Sequence, residues 1–151
     1  MFDLKKIEYG RIGTPEPVLA PAKSGASYLP GMALCLDAES HALVKASGDV
    51  TVTHVCLEAK TAAAGDTVLC YRVTPQMVFE APLSVYDDTV VFGAALTIAS
   101  DGLRVTATPA SGLVATVGED DAVTVTNTVG AIICDTQSAA AAGDRVLVRL
   151  A

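Results

Sequence analysis

The chain has 151 residues, 51% hydrophobic and only 18% charged, with a formal net charge of −7. That length fits one domain with a full core, or two small lobes. The acidic balance excludes the basic footprint that a nucleic-acid backbone requires. No apolar run approaches the roughly 20 residues that cross a bilayer as a helix, so neither nucleic acid nor membrane is expected as a partner.

The apolar excess is Ala, Val and Leu, while aromatics are 5% and Trp is absent. Such a composition leaves surface for burial against partners; the plainer alternative is a chain simply rich in small apolar residues. The charge is unevenly spread. Up to Pro30 there are four basic and three acidic residues, so the remainder holds six basic and fourteen acidic. The opening "MFDLKKIEYG" lacks the apolar core of a secretory signal. Cys35, Cys56, Cys70 and Cys134 form no CxxC pair and sit in apolar runs. They read as buried free thiols made in a reducing cytoplasm.

In chain order, the first element is "TPEPVLAPAKSGASYLPG", which holds four of the seven prolines. Proline removes backbone donors and fixes an extended backbone, which rules out a helix or a central strand. Residues 1–30 are expected as an extended arm, with Val18, Leu19 and Tyr28 as apolar anchors, or as a disordered leader. Its deletion is expected to spare the fold.

From Gly31 the chain reads as short Val- and Thr-rich strands separated by turn signals. The expected strands are Met32–Leu36, Ala42–Lys45, Val50–Glu58, Thr67–Thr74, Met77–Phe79, Val90–Ile98, Arg104–Thr108, Leu113–Val117, Ala122–Thr126, Ala131–Cys134 and Arg145–Leu150. Turns are marked at Ser47–Asp49, Ser100–Gly102, Ala110–Gly112 and Gly118–Asp121. No amphipathic helical run of ten residues occurs. The expected class is all-β, a small barrel or sandwich, in a body spanning 31–151.

The body carries an internal echo. "GMALCLDAE" from Gly31 aligns with "GAALTIASD" from Gly93, and "HVCLEAKTAAAGDTVL" from His54 with "IICDTQSAAAAGDRVL" from Ile132. Cys56 then falls on Cys134, Gly65 on Gly143 and Asp66 on Asp144. Two pseudo-repeated units, about 31–80 and 90–151, are expected, the second carrying an inserted hairpin around Gly118–Asp121. Within each "AAAGD" module, Thr61 or Ser138 is placed to cap one helical turn of alanines, which Gly65 or Gly143 ends in a left-handed conformation. Gly65, Asp66, Gly143 and Asp144 are therefore structural turn residues.

The chemistry is thin. One glycine followed by an aspartate is no phosphate loop, because the carboxylate repels the anion. His54 and Cys56 share a strand face and could hold zinc with Cys35 or Cys70, but no paired ligand spacing supports it. "GEDD" lacks the alternating oxygen spacing of a calcium loop. No nucleophile sits in a recognisable elbow, and His41 reads as an exposed turn residue. No catalytic residue, metal or cofactor is expected.

Five stretches together resemble the head decoration (cement) proteins of tailed bacteriophages. They are "PEPVLAPAKSGASYLPGMAL", "ALVKASGDVTVTHVCLEA", "AAAGDTVLCYRVTPQMVFEAPLS", "SDGLRVTAT" and "AAAAGDRVLVRL", and they cover most of the chain. The resemblance implies a non-enzymatic protein made in the host cytoplasm and bound to the outer surface of the expanded capsid. Its partners would be the major capsid protein and copies of itself, often as a homotrimer at local three-fold axes. The arm residues Pro15, Pro17, Val18, Leu19, Pro21 and Tyr28 are the candidates for capsid contact. The competing expectation is another virion accessory or a carbohydrate- or surface-binding β module, for which the few aromatics are unfavourable.

Overall fold

The computed structural model describes residues 1–7, 15–48, 50–84, 95–107, 114–117, 123–126, 132–134 and 143–150. Among these there is no helix, and the fold is all-β. The strands of the N-terminal half are β1 (Asp3–Ile7), β2 (Val18–Pro21), β3 (Ser27–Tyr28), β4 (Ala33–Leu36), β5 (Leu43–Lys45), β6 (His54–Cys56), β7 (Lys60–Thr61) and β8 (Thr67–Arg72). They are followed by β9 (Met77–Pro82), β10 (Ala95–Ile98), β11 (Val105–Ala107), β12 (Val114–Val117), β13 (Val123–Thr126), β14 (Ile132–Cys134) and β15 (Arg145–Leu150).

Two antiparallel sheets organise the chain. The first has the order β2-β8-β6-β4-β5, and the second β1-β9-β15-β14-β10-β11. Two small pairs, β3 with β7 and β12 with β13, complete the described strands. The latter are the arms of the hairpin expected around Gly118–Asp121, whose tip lies outside the described residues.

Apart from β1, the two sheets run in the same order and the same register. Leu34 faces Lys45 in the first, and Leu96 faces Ala107 in the second. Ala33 faces Val55, and Ala95 faces Ile133. His54 faces Arg72, and Ile132 faces Leu150. Val18 faces Cys70, and Phe79 faces Val148. In each sheet one parallel bridge joins the two ends of this five-strand set, Ala22 with Leu43 and Leu83 with Val105. The sheets curl, and among the described residues the closed barrel expected as one alternative does not form.

Small side chains permit that curl. The core of the first sheet is Ala20, Ala22, Ala62, Leu34, Leu43, Val68, Cys56 and Cys70, with Met32 and Tyr28 filling the space the alanines leave. The larger cluster combines Leu83, Leu96, Val105, Val146 and Val148 of the second sheet with Ala33, Ala46, Val52 and Val55 from the first. Each fully buried Leu or Val contributes about 1.5–3 kcal/mol relative to exposure.

Where the chain was read as an arm, β1, β2 and β3 are extended and paired into the sheets, with a turn at Lys23–Ala26 between β2 and β3. Phe2 and Tyr28 are buried. The Tyr28 hydroxyl donates to Leu43 O at 2.6 Å and accepts the Lys23 N–H at 2.9 Å. Tyr28 is thus a core residue, not a free anchor. The prolines are accommodated because β2 is an edge strand. Leu69 donates its N–H to Glu58 Oε1 and accepts from Leu57 N–H, both on the side away from β2. Its partner Leu19 therefore points its own N–H and C=O outward, and Pro17 and Pro21 share that orientation. Their missing N–H groups cost no ladder bond.

The "AAAGD" module is a turn without a helix. Thr61 lies in β7, opposite Ser27, and does not cap. Asp66 N–H donates to Ala63 O at 3.2 Å, and Gly65 at φ +82° occupies the position where a type II turn needs a left-handed residue. The Asp66 carboxylate accepts the Ala63 N–H at 3.0 Å and pairs with Lys60 at 3.2 Å. Gly143 has φ +92° and also leads through an aspartate into the paired strand. Asp66 O accepts from Ala22 N–H, and Asp144 O accepts from Leu83 N–H. Ser138 lies outside the described residues. The strands that follow these turns, β8 and β15, are interior strands of their sheets.

Candidate functional site

A groove of about 540 Å³ opens at the end of the first sheet, where β2, the start of β6 and the end of β8 meet Leu36 of β4. Val18, Leu19 and Pro21, three of the expected contact residues, line it. The other three do not. Tyr28 is inside the core, Pro17 is exposed outside this lining, and Pro15 is half-buried. Val18, Leu19 and Leu36 are 38%, 67% and 51% exposed, which concentrates large apolar surface at one place.

The same positions in the second sheet are closed. Val18 corresponds in register to Phe79, Leu36 to Ile98, His54 to Ile132 and Arg72 to Leu150, and all four counterparts are buried. They pack on Ala33, Ala46, Val52 and Val55 of the first sheet. Ile98 also exchanges two backbone hydrogen bonds with Gly48, at 2.7 and 3.1 Å. Leu36 pairs with Leu43 on one side, and its other side has no bridge among the described residues.

The groove of this acidic chain also carries a cation, Arg72. Lys23 pairs with Asp37 at 2.7 Å, Arg104 with Asp101 at 2.6 Å, and Lys5 with Glu80 at 3.1 Å. Arg145 joins Glu80 and Asp3, fastening β1 to β9 and β15. Arg72 has no carboxylate partner among the described residues. It lies beside His54, whose imidazole is half-buried and 3.0 Å from Thr53 Oγ1. Burial, and then the Arg72 charge, lower the His54 pKa and favour the neutral ring.

Burial holds the thiols of the first sheet in their protonated form. The Cys56 thiol donates to Glu58 O at 3.1 Å, and burial pushes the Cys70 pKa up to about 11. A protonated thiol is a poor ligand and a poor nucleophile. Among the described residues no group of three His, Cys, Asp or Glu side chains converges. Cys35 is half-buried where the sequence suggested full burial. The Cys134 side chain lies outside the described set. His41 is exposed in a turn, at φ +52°.

Leu36 and Arg72 were missed as site residues. The alignment of His54 with Ile132 held the signal, because it sets a polar side chain against a core position. No protein-family model matches the chain, and no curated protein matches it.

Proposed function

We propose that this protein is a capsid decoration protein, bound to the outer surface of an expanded phage head and bridging major capsid subunits. The resemblance carried by five stretches of the sequence is the starting point. The exposure of Val18, Leu19 and Leu36 on one groove is the observation that supports it most. Apolar surface gathered on a β framework suits a protein that buries area against protein neighbours in a shell, capsid subunits or further copies of itself, and needs no reacting groups.

In this reading the two sheets are pseudo-equivalent units of one duplicated design. The paired registers, the paired parallel bridges and the paired positive-φ glycines support that. The protein reinforces by linkage. A ligand that binds only the intact lattice raises the free energy of opening it, and many copies act together. Self-association, as a homotrimer, multiplies the capsid contacts that one particle makes.

The test is co-sedimentation with expanded shells of the parent phage, followed by heating. Saturable binding and a higher disruption temperature are expected. Shells that neither bind the protein nor gain heat resistance would overturn the reading. Glycan-array binding without shell binding would favour a carbohydrate-binding module instead.

A further inference from the structure

We propose that the open end of the first sheet is a head-to-tail interface that receives a second copy of this chain. The self-association in the reading above leaves the contact surface open; this inference identifies it and does not depend on the capsid.

The chain contains its own template for the contact. Phe79, Ile98, Ile132 and Leu150 form the end of the second sheet, and that end is seated on the first sheet. The reciprocal Gly48–Ile98 bonds stitch the seat at backbone level. Val18, Leu36, His54 and Arg72 form the matching end of the first sheet; among the described residues Leu150 alone of the second sheet lines that groove, and Val18 and Leu36 stay 38% and 51% exposed. Repeating the intrachain contact between chains covers it. The surface that docks is then the second copy's second sheet around Ala95, the register counterpart of Ala33. The two surfaces differ, so the contact is heterologous, and it closes into a ring where the rotation allows.

The chemistry at the open end fits an interface that also meets water. Two core positions have become His54 and Arg72, while Val18 and Leu36 stay apolar. A free end of this kind remains soluble yet retains a desolvable centre. Arg72 has no carboxylate partner among the described residues, and a second copy of a chain with net charge −7 is rich in carboxylates to offer it. The prolines of β2 leave Leu19 as the residue of that strand able to donate an edge N–H near the groove. This discourages indefinite strand-to-strand stacking and favours end-on docking.

Sedimentation velocity across a concentration series tests this. The wild-type chain is expected to associate. Leu36→Asp places a charge in the docked centre and Arg72→Glu reverses the paired one, and each is expected to weaken association by about tenfold or more. Both positions lie at the exposed end of their strands, so an unchanged melting temperature serves as the folding control. Leu29→Asp, equally exposed but outside the groove, is expected to associate like wild type. A chain that stays monomeric up to about 100 μM overturns the proposal. So does an oligomer indifferent to Leu36→Asp and Arg72→Glu. A monomer that still binds shells would overturn this interface and leave the decoration reading standing.

Discussion

Val18 and Phe79 occupy the same register position in two sheets of matching order, yet one is 38% exposed and the other 1%. Leu36 and Ile98 differ in the same way, at 51% and 2%. The backbone frame is shared, so the difference lies in what covers each end. The first sheet covers the second, and the covered end carries Ile132 and Leu150. The uncovered end carries His54 and Arg72 at those positions. Two β frames of matching order and register thus present different ends, a buried joint in one and an exposed groove in the other.

The comparison breaks most violently if the first thirty residues are removed. Deleting 1–29 strips β1 from the second sheet, and β2 and Tyr28 from the first. Loss of the cooperative thermal transition is expected, against the sequence-based expectation that the fold survives. Retention of a native-like melt would show the segment to be peripheral. Next come the matched core leucines. Leu34→Ala and Leu96→Ala, both fully buried, are each expected to cost about 2–5 kcal/mol in chemical denaturation. Costs that differ by more than that spread would mean that the two cores are not equivalent.

Smaller effects sharpen the comparison. Gly65 and Gly143 have positive φ, and a Cβ at either meets nothing within 4 Å. Alanine at each therefore introduces backbone strain without a clash, about 1–2 kcal/mol and similar at both. A much larger penalty at one would separate the two turns. The smallest effect is that of pH. Asp37 is held well below the carboxylate range by hydrogen bonds from Lys23 and Ser40, and Glu80 is lowered by Arg145 and Lys5. Both folded values lie below their unfolded ones. Their contribution is therefore present above about pH 4 and lost as pH falls through that range. The melting temperature is expected to fall below about pH 4, and to fall less in the Asp37→Asn, Glu80→Gln double variant.

Much of the body was legible because its signals are local. Val- and Thr-rich runs bounded by Gly and Asp located β4, β5, β8 and β10 to β15 to within a few residues at most ends. The arm was misread because proline density reports an extended backbone but not what that backbone pairs with. Pro17 and Pro21 are compatible with a sheet only because their outward face is an edge, which depends on strand order. Tyr28 looked like a free anchor because the cavity it fills is made by alanines distant in sequence. The alanine run favoured a helical turn by propensity, and the pairing of Thr61 with Ser27 overrode it. Of the groove, Val18, Leu19 and Pro21 were visible. Leu36 and Arg72 were not, since their exposure follows from what the other sheet leaves uncovered.

An electron cryomicroscopy reconstruction of the parent virion tests the central claim most directly. The account predicts density for this chain on the outer surface of the expanded head, touching more than one major capsid subunit. Its absence from the shell, or its location on the tail, would contradict it.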